Sequence, residues 1–400
     1  MMKTNFYESA SLPAPDDAAR AHSQMLRAQI DAALDQAGGW LPFNRYMELA
    51  LYTPGLGYYS NGLTKFGRHA GDGSDFITAP ELSPLFAQTL ARAVAEALAA
   101  SDTQQVMEFG AGSGALATQL LPALDALGVR CERYTIVELS GALRAQQRAT
   151  LAMHMPDAAT RVQWLDRLPA TFHGVILGNE VLDAMPVRLF TRKSGVWFER
   201  GVTRHSPPGS PLEWRDQPLS PDANGAAQLA SIDSTEDYLT EQHEAAHAFT
   251  RTVCQMLQRG ALLLIDYGFP SHEYYHPQRN AGTLMCHYRH YAHTDPFFYP
   301  GLQDITAHVE FSSIAQAALE TGVDLLGYTS QARFLINCGI TELLAQFDAN
   351  NPQEFLPIAN AMQKLLSEAE MGELFKVIGF GRGMDQGLSG FSHGDRALTL

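Results

Sequence analysis

Val106-Met107-Glu108-Phe109-Gly110-Ala111-Gly112-Ser113-Gly114-Ala115-Leu116 is the stretch whose reading decides the fold. A short apolar run breaks into three glycines spaced two apart, and a helical pattern starts at Ala115. Glycine is required there because a side chain would block close approach of the backbone to a ligand or forbid the dihedrals of the turn. Strand, glycine turn and helix together open a parallel αβ sheet. Outward from this unit, apolar runs at 134–137, 162–165, 175–177 and 261–265 alternate with helical patterns, and two more follow at 323–328 and 374–380. The alternation predicts an α/β fold, a doubly wound, Rossmann-like core of seven strands covered on both faces.

Ala115 also completes the relaxed dinucleotide pattern G-x-G-x-x-G/A, so an NAD(P)-dependent oxidoreductase stands as an alternative. Three acids separate the readings. Glu108 precedes the first glycine at the strand's end, where a carboxylate meets the ammonium of an amino-acid-bearing ligand and repels a pyrophosphate. Glu138 closes the next strand and is placed to accept both ribose hydroxyls; Asp166 follows the third and is placed to accept from an adenine amino group. Acids after three consecutive strands resemble the S-adenosylmethionine site of Rossmann-like methyltransferases, whose sulfonium cofactor carries no phosphate. Gly110, Ala111, Gly112 and Gly114 would admit that cofactor, with Asn179 beside it. The fourth strand ends in Gly178-Asn179-Glu180-Val181-Leu182-Asp183-Ala184-Met185-Pro186. Enzymes methylating nucleic-acid amino groups tend to carry Asn-Pro-Pro-aromatic here; two carboxylates instead suit a guanidinium, whose planar paired donors they hold bidentately. Glu180 and Asp183 are therefore the expected catalytic pair, with Asp183 alternatively a cap for a following helix.

The chain resembles the MidA family of methyltransferases. The likeness rests on the run from Leu41 to Tyr52 with Gly57-Tyr58-Tyr59-Ser60, on the run from Asp75 to Ser83, on the glycine turn, and on Asn179-Glu180 with Asp183 to Pro186. It continues in Ile265-Asp266-Tyr267-Gly268 and in the run from Gln303 to Val309. The mitochondrial members of that family are associated with arginine methylation and assembly of respiratory complex I. The resemblance implies S-adenosylmethionine as cofactor and an arginine-bearing partner protein, of the complex I subunit type, as acceptor. It also implies that the segment from Asp75 through Thr78 to Glu81 folds over the cofactor or acceptor, and that Tyr267 and His308 approach the acceptor channel. A cofactor-binding assembly factor without catalysis is the remaining alternative.

With 400 residues, the chain is expected to form an N-terminal helical and loop cap over 1–100 and a methyltransferase core over 101–400. Insertions are expected at about 187–235 and 267–311, with a helical segment at about 330–372; cap and insertions would enclose the acceptor channel against water. A formal net charge of −15 is the wrong sign for gripping phosphate backbones, so neither nucleic acid nor an anionic membrane is an expected partner. Four scattered cysteines, no apolar leader and no membrane-length run point to the cytoplasm. His243-Glu244-Ala245-Ala246-His247 matches H-E-x-x-H, but it leads into the apolar strand at 262–265 and position 250 is Thr, so no metal is expected there. His287, His290 and His293 recur among tyrosines and read as a packed loop.

Overall fold

The structure, a computed structural model, describes residues 7, 11–62, 78–157, 159–219, 225–232 and 237–400. Its central sheet is built from β1 (Gln105–Phe109), β2 (Arg133–Val137), β3 (Val162–Leu165), β4 (Phe172–Asn179), β5 (Leu257–Phe269), β6 (Asp324–Ser330) and β7 (Phe375–Arg382). They lie in the order β6-β7-β5-β4-β1-β2-β3. The first five pair in parallel, and β7 runs antiparallel to both β5 and β6. A two-residue strand, Val309–Glu310, joins the end of β5 as an eighth member.

Alternate residues explain how the sheet is covered. Val106, Val175, Leu177, Leu263 and Ile265 point to one face, where the helices Pro84–Ser101 and Ala115–Ala126 pack. Met107, Ile176, Leu262 and Leu264 point to the other, against Glu244–Met256 and Phe311–Leu319. Strands apolar on both faces are what a doubly covered parallel sheet requires. The helix Pro84–Ser101 lies within the first hundred residues yet packs on this sheet, not among the N-terminal elements. The run at 261–265 is the middle of a 13-residue strand, because its backbone goes on pairing with β4 from Leu257 and with β7 as far as Tyr267.

Both insertions are mainly sheet: the first, which reads in the sequence as a hairpin at 187–202 followed by a Pro/Ser/Gly-rich stretch, pairs more widely than that. Arg188–Lys193, Val196–Arg204, Leu212–Pro218 and Tyr238–Gln242 form an antiparallel sheet completed by Leu41–Pro42. Ion pairs lock its neighbouring strands, Arg188 to Glu199 at 2.7 Å and Arg200 to Asp216 at 2.9 Å. Such cross-strand partners favour extended pairing over a helix. Met285–Tyr288, Tyr291–His293 and Asp304–Thr306 form a second, three-stranded sheet. The helices Asp17–Gln36 and Phe43–Tyr52 bury Leu26, Ile30, Phe43, Tyr46 and Met47 against both insertions, through Leu189, Val202, Cys286 and Ile305. Cap and insertions thus share one apolar cluster. Among the described residues no helix is long and apolar enough to cross a membrane.

Because β2 and β3 lie on one side of β1 and β4 on the other, the crevice between β1 and β4 is the topological switch point where ligands of such sheets bind. Register fixes its floor: Phe109 pairs with Gly178, and Asn179 with Ile265, so the turns after β1, β4 and β5 emerge at one level. Close approach of β4 to β1 depends on Gly174 (φ +148), where a Cβ would stand 2.1 Å from the Gln105 carbonyl oxygen. Gly174→Ala is expected to lower stability by about 1–3 kcal/mol, read as a lower denaturant midpoint with unchanged slope. A wild-type midpoint would show that the two strands need no such contact.

Candidate active site

A cavity of about 1100 Å³ opens at the carboxyl ends of β1 to β5. Its walls bring together Glu108, Gly110, Ala111, Gly112, Glu138 and Asp166 on one side. Asn179, Glu180, Asp183, Tyr267, His308 and Thr78 line the rest. The roof comes from the N-terminal cap, through Tyr52 and Tyr59, and from the second insertion, through His287 and Asp304.

Two expected residues do not line it. Gly114 (φ +86) caps the helix Ala115–Ala126, and its missing side chain makes room for Gln147, whose Cα would lie 3.4 Å from a Cβ there. Glu81 accepts a hydrogen bond from the Ser113 hydroxyl at 2.8 Å, which ties the short helix Ala79–Leu82 to the glycine turn. Asp75, Phe76 and Ile77, expected to fold over the site with Thr78, lie outside the described residues.

The glycine turn and the acid after β2 are joined through Gln147. Its side-chain amide donates to the Gly112 carbonyl at 3.0 Å and to Glu138 at 3.2 Å, while its oxygen accepts from the Trp164 indole at 2.8 Å. The Ser140 N–H donates to the other Glu138 oxygen at 2.8 Å. Gly110 (φ +66) leaves no room for a side chain, since a Cβ would meet Val181 at 2.7 Å. Glu108 is buried and accepts from the Tyr134 hydroxyl at 2.6 Å; burial pushes its carboxyl up to about 7 against that bond. Asp166 is exposed at the cavity's edge.

Beyond β4 the chain turns without starting a helix, so Asp183 caps none. Glu180 sits at φ +53, its carboxylate 3.1 Å from the Asn179 amide. Withdrawal from water, and then the nearby Asp183 charge, push Glu180 up to about 8. Asp183 is buried and also raised by desolvation; its Oδ2 accepts from the Tyr267 hydroxyl at 2.5 Å, and its Oδ1 is buried with no hydrogen-bond partner. His308 stands edge-on to Tyr267, with ring centres 5.2 Å apart, and burial lowers it to about 4, which keeps it neutral.

Among the described residues, the lining carries the carboxyls of Glu108, Glu138, Asp166, Glu180, Asp183 and Asp304 and one guanidinium, Arg167. Glu108, Glu180 and Asp183, withdrawn from water, favour a cationic occupant and oppose a pyrophosphate. A sulfonium- and ammonium-bearing nucleoside fits this donor set; a dinucleotide does not.

His243 does not lie on the helix Glu244–Met256 but precedes it, is 2% exposed, and faces the Tyr274 hydroxyl at 3.2 Å. His247, expected towards solvent, is half-buried and meets the Ser313 hydroxyl at 2.7 Å. The two imidazoles thus serve separate contacts. Tyr52, Tyr59, Asp266 and Asp304 lie in stretches that carry the family resemblance but were given no role from the sequence, and Gln147 lies in none of them. Only Asp266, an acid closing an apolar strand as Glu108 and Glu138 do, carried a comparable signal there.

Residues 89–329 match a family model described as "Putative S-adenosyl-L-methionine-dependent methyltransferase". A crystal structure from Burkholderia thailandensis, bound to S-adenosyl-homocysteine, is 63% identical, covers 98% of this chain and 100% of that one, and superposes with a TM-score of 0.95. Protein arginine methyltransferase NDUFAF7, mitochondrial, of Danio rerio is 27% identical over 368 residues, 85% of this chain and 83% of the relative. The Homo sapiens protein of the same name is 27% identical over 358 residues, with 82% and 77% covered. In calorimetric titration, Gln147→Ala is expected to weaken S-adenosyl-homocysteine about tenfold, about 1.4 kcal/mol. Wild-type affinity would show that the glycine turn and Glu138 keep their places without it.

Proposed function

The chain belongs to this family of S-adenosylmethionine-dependent methyltransferases, and on that premise we propose that it methylates an arginine guanidinium of a partner protein. The observation that carries the acceptor is the pair Glu180 and Asp183, set into a cavity whose described lining carries six carboxyls and one guanidinium. The names of the NDUFAF7 relatives support the same acceptor. When bound, S-adenosylmethionine supplies a methyl group made electrophilic by its sulfonium.

In this reading the glycine turn gives the cofactor backbone-close access, Glu138 takes the ribose hydroxyls, and Asp166 takes the adenine amino group. Glu108 compensates the charge of the amino-acid part, and Asn179 offers its buried, unpartnered Oδ1 as an acceptor. Glu180 and Asp183 hold the guanidinium by paired hydrogen bonds and aim one nitrogen at the methyl carbon. That nitrogen must lose a proton as it gains the methyl group, and Asp183 Oδ1 is the atom able to receive it. Tyr52 and Tyr59, stacked with centres 5.6 Å apart, wall the entry with aromatic surface on which a guanidinium packs well. The two inserted sheets and the cap exclude water from the reacting groups.

Glu180→Gln and Asp183→Asn are each expected to lower kcat/KM by about 100-fold or more, with S-adenosyl-homocysteine affinity within about twofold of wild type. Transfer of tritiated methyl to protein, followed by amino-acid analysis for methylarginine, measures this. Cofactor binding with no methyl transfer by wild type would instead favour the assembly-factor role.

A pH dependence follows from Glu180. With its proton affinity raised to about 8, this carboxyl is mostly protonated at pH 7 before acceptor binds, whereas the cation requires its ionised form. Acceptor affinity is thus expected to rise as pH passes upward through about 8, with proton release on binding at neutral pH. Glu180→Gln should abolish that step in KM; a step retained in the variant would assign it to another group.

A further inference from the structure

Four consecutive backbone N–H groups, those of Glu180, Val181, Leu182 and Asp183, are all taken up by two consecutive residues of β5. The Ile265 carbonyl accepts from Glu180 at 2.8 Å. Asp266 Oδ2 accepts from Val181 at 3.1 Å, Leu182 at 2.9 Å and Asp183 at 3.3 Å. The second oxygen, Oδ1, accepts from the Tyr267 N–H at 2.9 Å, and the Tyr267 hydroxyl in turn holds Asp183 Oδ2. Residues 265–267 thereby clamp the backbone of the turn and one of its two carboxylates.

Asp266 itself is 1% exposed and is absent from the cavity lining. Among the described residues it forms no ion pair, and it lies close to two further carboxyls, Asp183 and Glu180, a grouping that works against stability. Burial, with Asp183 and Glu180 close by, raises its carboxyl well above the usual carboxylate range, and the bonds from the Leu182 and Tyr267 N–H groups, part of the nest made by the turn, oppose that shift. Glu180 occupies a left-handed conformation, which is costly for a non-glycine residue unless its surroundings impose it.

We propose that Asp266 is a positioning residue for the acceptor site, fixing Glu180 and Asp183 by gathering the turn's N–H groups onto one oxygen and orienting Asp183 through Tyr267. This rests on the reading of Glu180 and Asp183 as the guanidinium-binding pair. Asp266 acts through the turn and touches neither cofactor nor acceptor.

The test uses the full chain as wild type, Asp266→Ala and Asp266→Asn. Three readouts are taken: calorimetric binding of S-adenosyl-homocysteine, amide hydrogen exchange at 181–183, and kinetics with tritiated S-adenosylmethionine on a synthetic arginine–glycine repeat peptide. Asp266→Ala is expected to lose exchange protection at 181–183 and about 100-fold in kcat, while S-adenosyl-homocysteine affinity stays within about twofold. Asp266→Asn keeps an accepting oxygen and is expected to restore protection and to recover kcat to within about tenfold of wild type. Wild-type kcat in Asp266→Ala, or loss of cofactor binding in parallel with kcat, would overturn the proposal. If wild type leaves the peptide unmethylated, the arginine reading fails on its own. Loss of protection confined to 181–183 in Asp266→Ala then still upholds the clamp, and unchanged protection overturns it.

Discussion

The site depends on one constraint, the parallel register that holds β4 between β1 and β5. Phe109 opposite Gly178 and Asn179 opposite Ile265 bring three turns to one level. The glycine turn follows β1, the Glu180–Asp183 turn follows β4, and Asp266 stands on β5 just past its pairing with β4. A slip in either pairing would separate groups that now share one cavity floor, and β1, β4 and β5 are buried on both faces over most of their length, which penalises such a slip. The long reach of β5 has a local use: its last residues continue past the end of β4 and supply the hydrogen-bond acceptors that the turn after β4 needs.

Above this floor, electrostatics sets the kind of ligand. Glu108, Glu180 and Asp183 are pushed towards their protonated forms chiefly by loss of water. Ion pairs are plentiful elsewhere, as in the first inserted sheet, where arginines bridge neighbouring strands. Among the described residues Glu108, Glu180 and Asp183 form no ion pair, while the first inserted sheet pairs its own carboxylates, and a cation entering the cavity supplies that missing charge. That contrast suits the sulfonium cofactor and, under the proposed function, a cationic acceptor in the same chamber.

Much of this was legible locally. The glycine turn and the acids Glu108, Glu138, Glu180 and Asp183 stand at strand ends that apolar runs mark out, so spacing alone carried them to the cavity wall. Gly114 read as part of the cofactor cradle, but its lack of a side chain serves helix capping and contact with Gln147. What stayed hidden involves distant partners: Tyr59 meets Asp304, and Tyr52 meets the Ala184 carbonyl, through tertiary packing that no local pattern encodes. The first insertion read as a hairpin and a loose stretch because its strands alternate irregularly. Their pairing draws on Leu41–Pro42, far away in the chain, and on arginine–carboxylate bridges. His243 and His247 shared a motif spacing, yet the helix begins after His243 and separates their surroundings.

The central claim is that a sulfonium cofactor and an arginine side chain meet over Glu180 and Asp183. The most direct measurement incubates the enzyme with a protein extract and isotopically methyl-labelled S-adenosylmethionine, and locates the label by mass spectrometry, with Glu180→Gln as the paired sample. The account predicts label on arginine side-chain nitrogens in wild type and its loss in the variant. Label on a different side chain, or equal labelling by both proteins, would contradict it.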